Sequence, residues 1–225
     1  MMMKTIVISV GGSAIVPDDV DYRFLKELKR AVLLHRGGKI VICTGGGVTA
    51  RKYMEPLKRE KFNEYTLDLM GIEATRLNAY LVASFLGEVA NKEIPKTLEE
   101  VADAAKSNRV VVCGGLTPGQ TSDGTTAMIA DYLDADVLIN MTNVDGLFTK
   151  DPKKFKDAKF IPKLSHDDFK RIIDKIEKKP GMHFVLDHMA AEICRKAKIK
   201  VVVMKGVVNL KRFIEGKRFK GTIIS

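Results

Sequence analysis

The chain has 225 residues, 45% of them hydrophobic and 29% charged, the balance of an ordinary globular protein. It is long enough to bury a real core, as one large domain or two intimately packed small ones. No apolar stretch has the length of a membrane span and the N-terminus lacks a signal-peptide layout, so a cytoplasmic protein is expected. Lysine and arginine number 38 against 28 aspartate and glutamate, a formal charge of +10. The basic residues are spread along the chain with no aromatic–basic RNA-binding motif. The charge therefore suits a solvated basic surface or small polyanions such as nucleotides. Cys43, Cys113 and Cys194 are an odd count with no C-x-x-C pair, and they read as buried, reduced and structural.

Taken in chain order, residues 4–10 (KTIVISV) form a first apolar, β-branched run that breaks at Gly11-Gly12-Ser13. Residues 21–36 carry Phe24, Leu25, Leu28, Val32 and Leu33 on one helical stripe, and Gly37-Gly38 stops it. The run 39–44 enters Gly45-Gly46-Gly47, and a helix with Arg51 in its first turns follows. A longer helix over 64–86 carries Leu67, Met70, Leu77, Leu81 and Phe85. Helices at 97–106, 123–133, 165–178 and 187–197 alternate with apolar runs at 109–113, 136–141, 199–204 and 222–225. Residues 143–164 are the one sizeable loop-like region. The first five runs are nearly continuous rather than alternating, as in strands covered on both faces. Strands alternating with helices give a mostly parallel α/β sheet with helices on both sides.

In such a sheet, ligands gather where strands end and helices begin. Gly11-Gly12-Ser13 is neither common phosphate fingerprint, and alone it reads as a turn. The triple glycine at 45–47 can aim bare backbone N–H groups at an anion, helped by the helix N-terminus and by Arg51 as a fixed cation. The competing reading is a close helix–strand crossing. After 109–113, Gly114-Gly115 leads into Thr117, Pro118, Gly119, Gln120, Thr121, Ser122 and Asp123. Those hydroxyls and amides can read a nucleobase or ribose, and Ser122 or Asp123 can cap the helix that follows. After 136–141 come Thr142, Asn143, Asp145-Gly146, Phe148 and Asp151. Asp145-Gly146 alone is a turn. With Phe148 and Asp151 the segment can hold an adenine ring and ribose, while Asp145 orients a phosphate-binding cation or Mg²⁺. Asp68 and Arg76 interrupt an apolar helix, either as a solvent stripe or with Asp68 reaching a ribose diol.

In order, VGGSAIVP, TGGGVTARKY, LDLMGIEATRLNA, GGLTPGQTSD, TNVDGLFTKDP, LDHMAAEICRKAKIKVVVMKG and GTIIS cover nearly the whole chain. Together they resemble the amino acid kinase superfamily, and within it uridylate kinases of the archaeal type. The resemblance implies a three-layer sandwich forming a single domain over 1–225, with the acceptor on the side of residues 1–135 and ATP on the side of 136–225. It implies phosphoryl transfer from ATP to UMP with Mg²⁺, and a homohexamer built as a trimer of dimers with neither nucleic-acid nor membrane partners. By matching motif, Gly12, Ser13, Gly47 and Arg51 contact ATP phosphates, and Thr142, Asn143, Phe148 and Asp151 line its nucleoside pocket. Gly46, Asp68 and residues 117–123 take UMP, with Thr121 nearest the base. Arg51, Asp145 and Ser13 are the catalytic candidates, and no residue set is assigned as a metal centre.

Two departures stand out. Many superfamily members carry a lysine two residues before the first glycine, where this chain has Ser9; the usual tyrosine after V-D-G is Phe148. The charge-neutralising cation must then come from elsewhere, with Arg51 and Lys205 as candidates. Rival readings are a superfamily kinase for isopentenyl phosphate, carbamate or an amino acid, a non-catalytic nucleotide- or oxyanion-binding protein, and an RNA-binding regulator. Asp68 and the polar loop at 117–123 favour a nucleoside monophosphate.

Overall fold

β-Branched residues on both faces of a run favour a strand buried on both sides, and that is what a computed structural model of the chain contains. The structure describes residues 4–150, 152, 155–176 and 186–225. The main strands are β1 (Thr5–Val10), β2 (Lys39–Thr44), β3 (Val110–Cys113), β4 (Val137–Thr142), β8 (Lys200–Lys205) and β9 (Gly221–Ile224). Short strands β5 (Leu147–Phe148), β6 (Phe160–Ile161) and β7 (Lys163–Leu164) lie within the region that reads as a loop. Seven strands form one sheet in the order β3-β2-β1-β4-β8-β9-β7, parallel except where β8 meets β9. β5 and β6 form a separate antiparallel pair.

Side chains alternate across the sheet, and the two faces bury against different helices. Ile6, Ile8 and Val10 of β1 pack with Leu25, Leu28 and Val32 of α2 (Tyr22–Leu33), Ala79 and Val82 of α4 (Glu64–Leu86), and Leu210 of α9 (Gly206–Ile214). Val7 points the other way, into a cluster with Ala127 and Ile129 of α6 (Ser122–Tyr132), Phe169 of α7 (His166–Ile176) and Ala190 of α8 (His188–Lys196). Val101 of α5 (Leu98–Ser107) joins this second cluster. Two apolar layers around a mostly parallel sheet make the three-layer α/β sandwich expected.

On α4 the buried residues are Ile72, Ala74, Asn78, Ala79, Val82, Ala83 and Leu86, whereas Leu77 is 57% exposed and Leu69 40%. Ala74, Ala79 and Ala83 let the helix lie close to its neighbours, Ile72, Val82 and Leu86 share the buried face, and Leu81 and Phe85 pack half-buried against the same core. The three cysteines are buried and unpaired, as expected. Among the described residues no helix is long and apolar enough to cross a membrane.

Parallel pairing brings the C-terminal ends of β1, β2, β3, β4 and β8 to one edge of the sheet, and β9, running the other way, begins there. All four polar strand exits therefore share that edge.

Candidate active site

The turn after β1 and the turn after β2 are packed backbone to backbone. α1 (Gly12–Ile15) starts directly at the first turn, and α3 (Gly47–Arg59) at the second. The N–H of Gly45 donates to the carbonyl of Val10 at 2.9 Å. A Cβ on Gly12 would fall inside the backbone of Gly45–Gly47, and one on Gly47 inside that of Gly12 and Ser13. Gly47 also has φ +57°, in the left-handed region that suits glycine. The glycines thus serve a close crossing of two loops, and the same bareness leaves two sets of N–H groups at adjoining helix starts. Arg51, exposed on the first turns of α3, donates through Nη2 to Ser13 Oγ at 3.3 Å, so the candidate cation spans both loops.

Two residues of α4 brace the exits of β2 and β3. Asn78, 2% exposed, donates through Nδ2 to the carbonyls of Gly45 at 2.8 Å and Gly46 at 3.3 Å. Thr75 Oγ1 accepts the N–H of Gly115 at 2.6 Å, fixing the exit of β3. Arg76 is not a solvent-stripe residue: it donates to the carbonyls of Gly115 and Leu116 as well as to Glu73. Asp68, about two turns before Thr75 on the same face of the helix, accepts the N–H of Gly119 at 2.7 Å. The structure therefore brings Asp68 to the polar loop 117–123, with Thr117 and Gly119 exposed at its tip and Pro118 half-buried. Gln120 Nε2 contacts Met128 Sδ at 3.4 Å.

Thr121, rather than Ser122 or Asp123, caps α6: its Oγ1 accepts the N–H of Gly124 at 2.9 Å. The hydroxyl donates to Asp187, which caps α8 by accepting the N–H of Ala190 at 2.7 Å. The cap leaves Asp123 inside the first turn, turned toward the sheet. There Ser9 Oγ and Asn140 Nδ2, neighbours across β1 and β4, each lie 3.5 Å from Asp123 Oδ1. Burial, together with the nearby Asp187 carboxylate, pushes the Asp123 carboxyl up to about 7, against the opposing hydrogen bond from Ser9.

On the far side of β1, Thr142 Oγ1 accepts the N–H of Val144 and shapes the turn after β4. Asn143 is exposed beside it. Phe148 packs edge-on against Phe160, with ring centroids 5.4 Å apart, and Thr222 of β9 braces the pair by accepting the N–H of Leu147 and donating to the carbonyl of Ile161. Asp145 is ion-paired with Lys220 at 2.6 Å. Asp151 lies outside the described residues. Among the described residues no group of three or more His, Cys, Asp or Glu could hold a metal ion.

Three supporting residues escape a reading of the sequence: Asn78, Asp187 and Lys220. Asp187 alone carries a local signal, an aspartate immediately before a helical pattern.

The sequence profile of the Amino acid kinase family matches residues 4–205. A uridylate kinase of Thermoplasma volcanium is 39% identical over 217 residues, covering 96% of this chain and 95% of that protein. One of Thermococcus kodakarensis is 35% identical over 222 residues, covering 97% and 98%. A crystal structure of uridylate kinase from Archaeoglobus fulgidus matches the fold with a TM-score of 0.87 at 33% identity, over 98% of this chain and 99% of that one.

Proposed function

The chain belongs to the amino acid kinase family, and on that premise we propose that it is an ATP-dependent uridylate kinase, moving the γ-phosphoryl group of ATP to UMP to give UDP. The observation that carries this reading is the pair of glycine loops crossing under Arg51, with an acceptor-type loop tied to Asp68 on one side and an aromatic turn at Phe148 on the other.

Phosphoryl transfer is mainly positioning and charge neutralisation. Backbone N–H groups of Gly12, Ser13 and Gly47, with Arg51, take the transferring phosphates. Gly46, Asp68 and residues 117–123 hold UMP on the side of residues 1–135, and Thr142, Asn143, Phe148 and Asp151 hold the ATP nucleoside on the side of 136–225, within one domain. The UMP phosphate is already anionic, so in-line attack needs no general base.

The residues fit Mg²⁺, which takes one or two carboxylates plus substrate phosphates and needs no larger protein cluster. Asp123 would hold it together with the substrate phosphates, since its buried carboxyl lies beside the Asp187 carboxylate and a divalent cation would offset that negative charge. When bound, the ion neutralises charge on the phosphates. We place the protein in the cytoplasm as a hexamer built from dimers. Tyr65, Leu69, Leu77 and Tyr80, all exposed on α4, supply an apolar face for self-association, which sedimentation velocity tests.

A coupled assay with ATP, Mg²⁺ and a panel of UMP, CMP, AMP, isopentenyl phosphate and carbamate tests the reaction. UMP is expected to give ADP fastest; ADP release with another acceptor and none with UMP overturns the assignment.

A further inference from the structure

Lys220, the residue before β9, donates through Nζ to Asp145 Oδ2 at 2.6 Å. Its backbone N–H donates to Asn209 Oδ1 at 2.9 Å, and Asn209 Nδ2 donates to the carbonyl of Lys205 at 2.9 Å. Met204 stands opposite Gly221 across β8 and β9, so Lys205 and Lys220 are neighbours one position further out, stitched together by Asn209. Lys205 in turn is paired with Thr142, at the head of the turn that carries Asp145. Like charges opposite each other on adjacent strands are destabilising. Lys220 has Asp145 as its counter-ion, and Lys205 has no ion-pair partner among the described residues. The Lys220 side chain is 60% exposed and that of Asp145 35%, so solvent screens the pair and it adds little to stability. It is a weak contact that a stronger anion can replace.

Strand spacing says which anion can reach it. Adjacent strands are about 4.8 Å apart, and the order β1-β4-β8-β9 sets Lys205 two strands and Lys220 three strands from the Gly12 turn. That is roughly 10 and 14 Å, and a lysine side chain reaches back about 6 Å. A triphosphate with its γ group at the glycine loops and its nucleoside beside Phe148 carries its inner phosphates across this gap. We propose that Lys220 is a nucleotide-binding residue that exchanges Asp145 for the α- and β-phosphates of a nucleoside triphosphate, with Lys205 beside it. Asp145 then acts as a counter-ion that keeps the ammonium aimed at the site before nucleotide arrives. This rests on the donor-side reading of residues 142–148 and supplies cations that the Ser9 position lacks.

Calorimetric titration of the full chain with ADP, a non-hydrolysable ATP analogue and adenosine, all without acceptor, tests the exchange. Lys220→Ala is expected to weaken ADP and the ATP analogue about tenfold while leaving adenosine within about twofold. Lys220→Arg should recover most of the loss, and KM for UMP should not move. Unchanged ADP affinity in Lys220→Ala overturns the inference, as does an equal loss for ADP and adenosine, which marks a structural role. A wild-type chain that binds ADP, the ATP analogue and adenosine all undetectably overturns the donor-side reading itself, and the inference with it.

Discussion

The Thr121 hydroxyl accepts from the start of its own helix and donates to Asp187, so two helix caps, 66 residues apart in sequence, are one hydrogen-bonded unit. This unit joins the polar loop after β3 to the C-terminal half of the chain. Asparagine caps helices about as well as aspartate, whereas alanine costs about 1 kcal/mol. Asp187→Asn should therefore unfold in urea within a few tenths of a kcal/mol of wild type, and Asp187→Ala about 1 kcal/mol earlier. KM for UMP should rise in Asp187→Ala more than KM for ATP. A larger effect on ATP would detach Asp187 from the acceptor loop.

Asp123 sets a pH dependence whose sign is fixed by its surroundings. Its carboxyl is raised to about 7 by burial and by Asp187; Ser9, Asn140 and, farther off, the Cys43 thiol also face it. An unfolded aspartate titrates near about 3.9. Between these values the native chain holds a proton that the unfolded chain has lost, so stability falls as pH rises, by at most about 1.4 kcal/mol per unit. Above about 7 the penalty is complete and flat. Asp123→Asn removes the titration, so its stability relative to wild type should climb from pH 4 to 7 and then level off. Urea unfolding of both proteins at unit pH steps measures this; parallel curves would refute it.

The strands were legible because continuous β-branched runs have one physical use in an α/β protein, burial on both faces, and their observed ends fall within a residue or so of those runs. α9 was not legible: it opens on Gly206, Val207 and Val208, poor helix formers, and is held by packing of Leu210 and Phe213. Which face of α4 is buried is not legible either, because Leu77 at helical spacing reads like Leu81 although only Leu81 packs against the core. At the site, the glycine loops and the loop 117–123 announce themselves by composition. Asn78 and Lys220 do not, since their contacts reach across 33 and 75 residues and nothing local distinguishes them from any other polar side chain.

The crossing of the two glycine loops predicts a defect of geometry rather than of folding. The Cβ of Gly12→Ala must displace the backbone at Gly45–Gly47, since no flexible side chain is there to yield. Overpacking of this kind costs about 1–3 kcal/mol, which a domain of this size survives. It also moves the N–H groups that face the phosphates. Turnover should drop at least about a hundredfold, as when a charge-stabilising donor is lost, while circular dichroism keeps the wild-type signature. A Gly12→Ala enzyme with wild-type kcat would separate this crossing from catalysis.

Asn78 is the residue on which the second loop rests. Its amide donates to two consecutive carbonyls, Gly45 and Gly46, from a buried position on α4, and no water can replace it without opening the helix–loop contact. Asn78→Ala leaves those carbonyls short of a donor at a cost of about 1–3 kcal/mol. Asn78→Asp should be worse, because its carboxylate would face two carbonyl oxygens as a buried, unpaired charge. Asn78→Leu keeps side-chain bulk without the donor and separates packing from hydrogen bonding: it should resemble Asn78→Ala in turnover but recover part of the stability. Thermal unfolding and steady-state kinetics on the three variants check the order. If Asn78→Asp is as stable as wild type at pH 7, the amide is not what holds the loop.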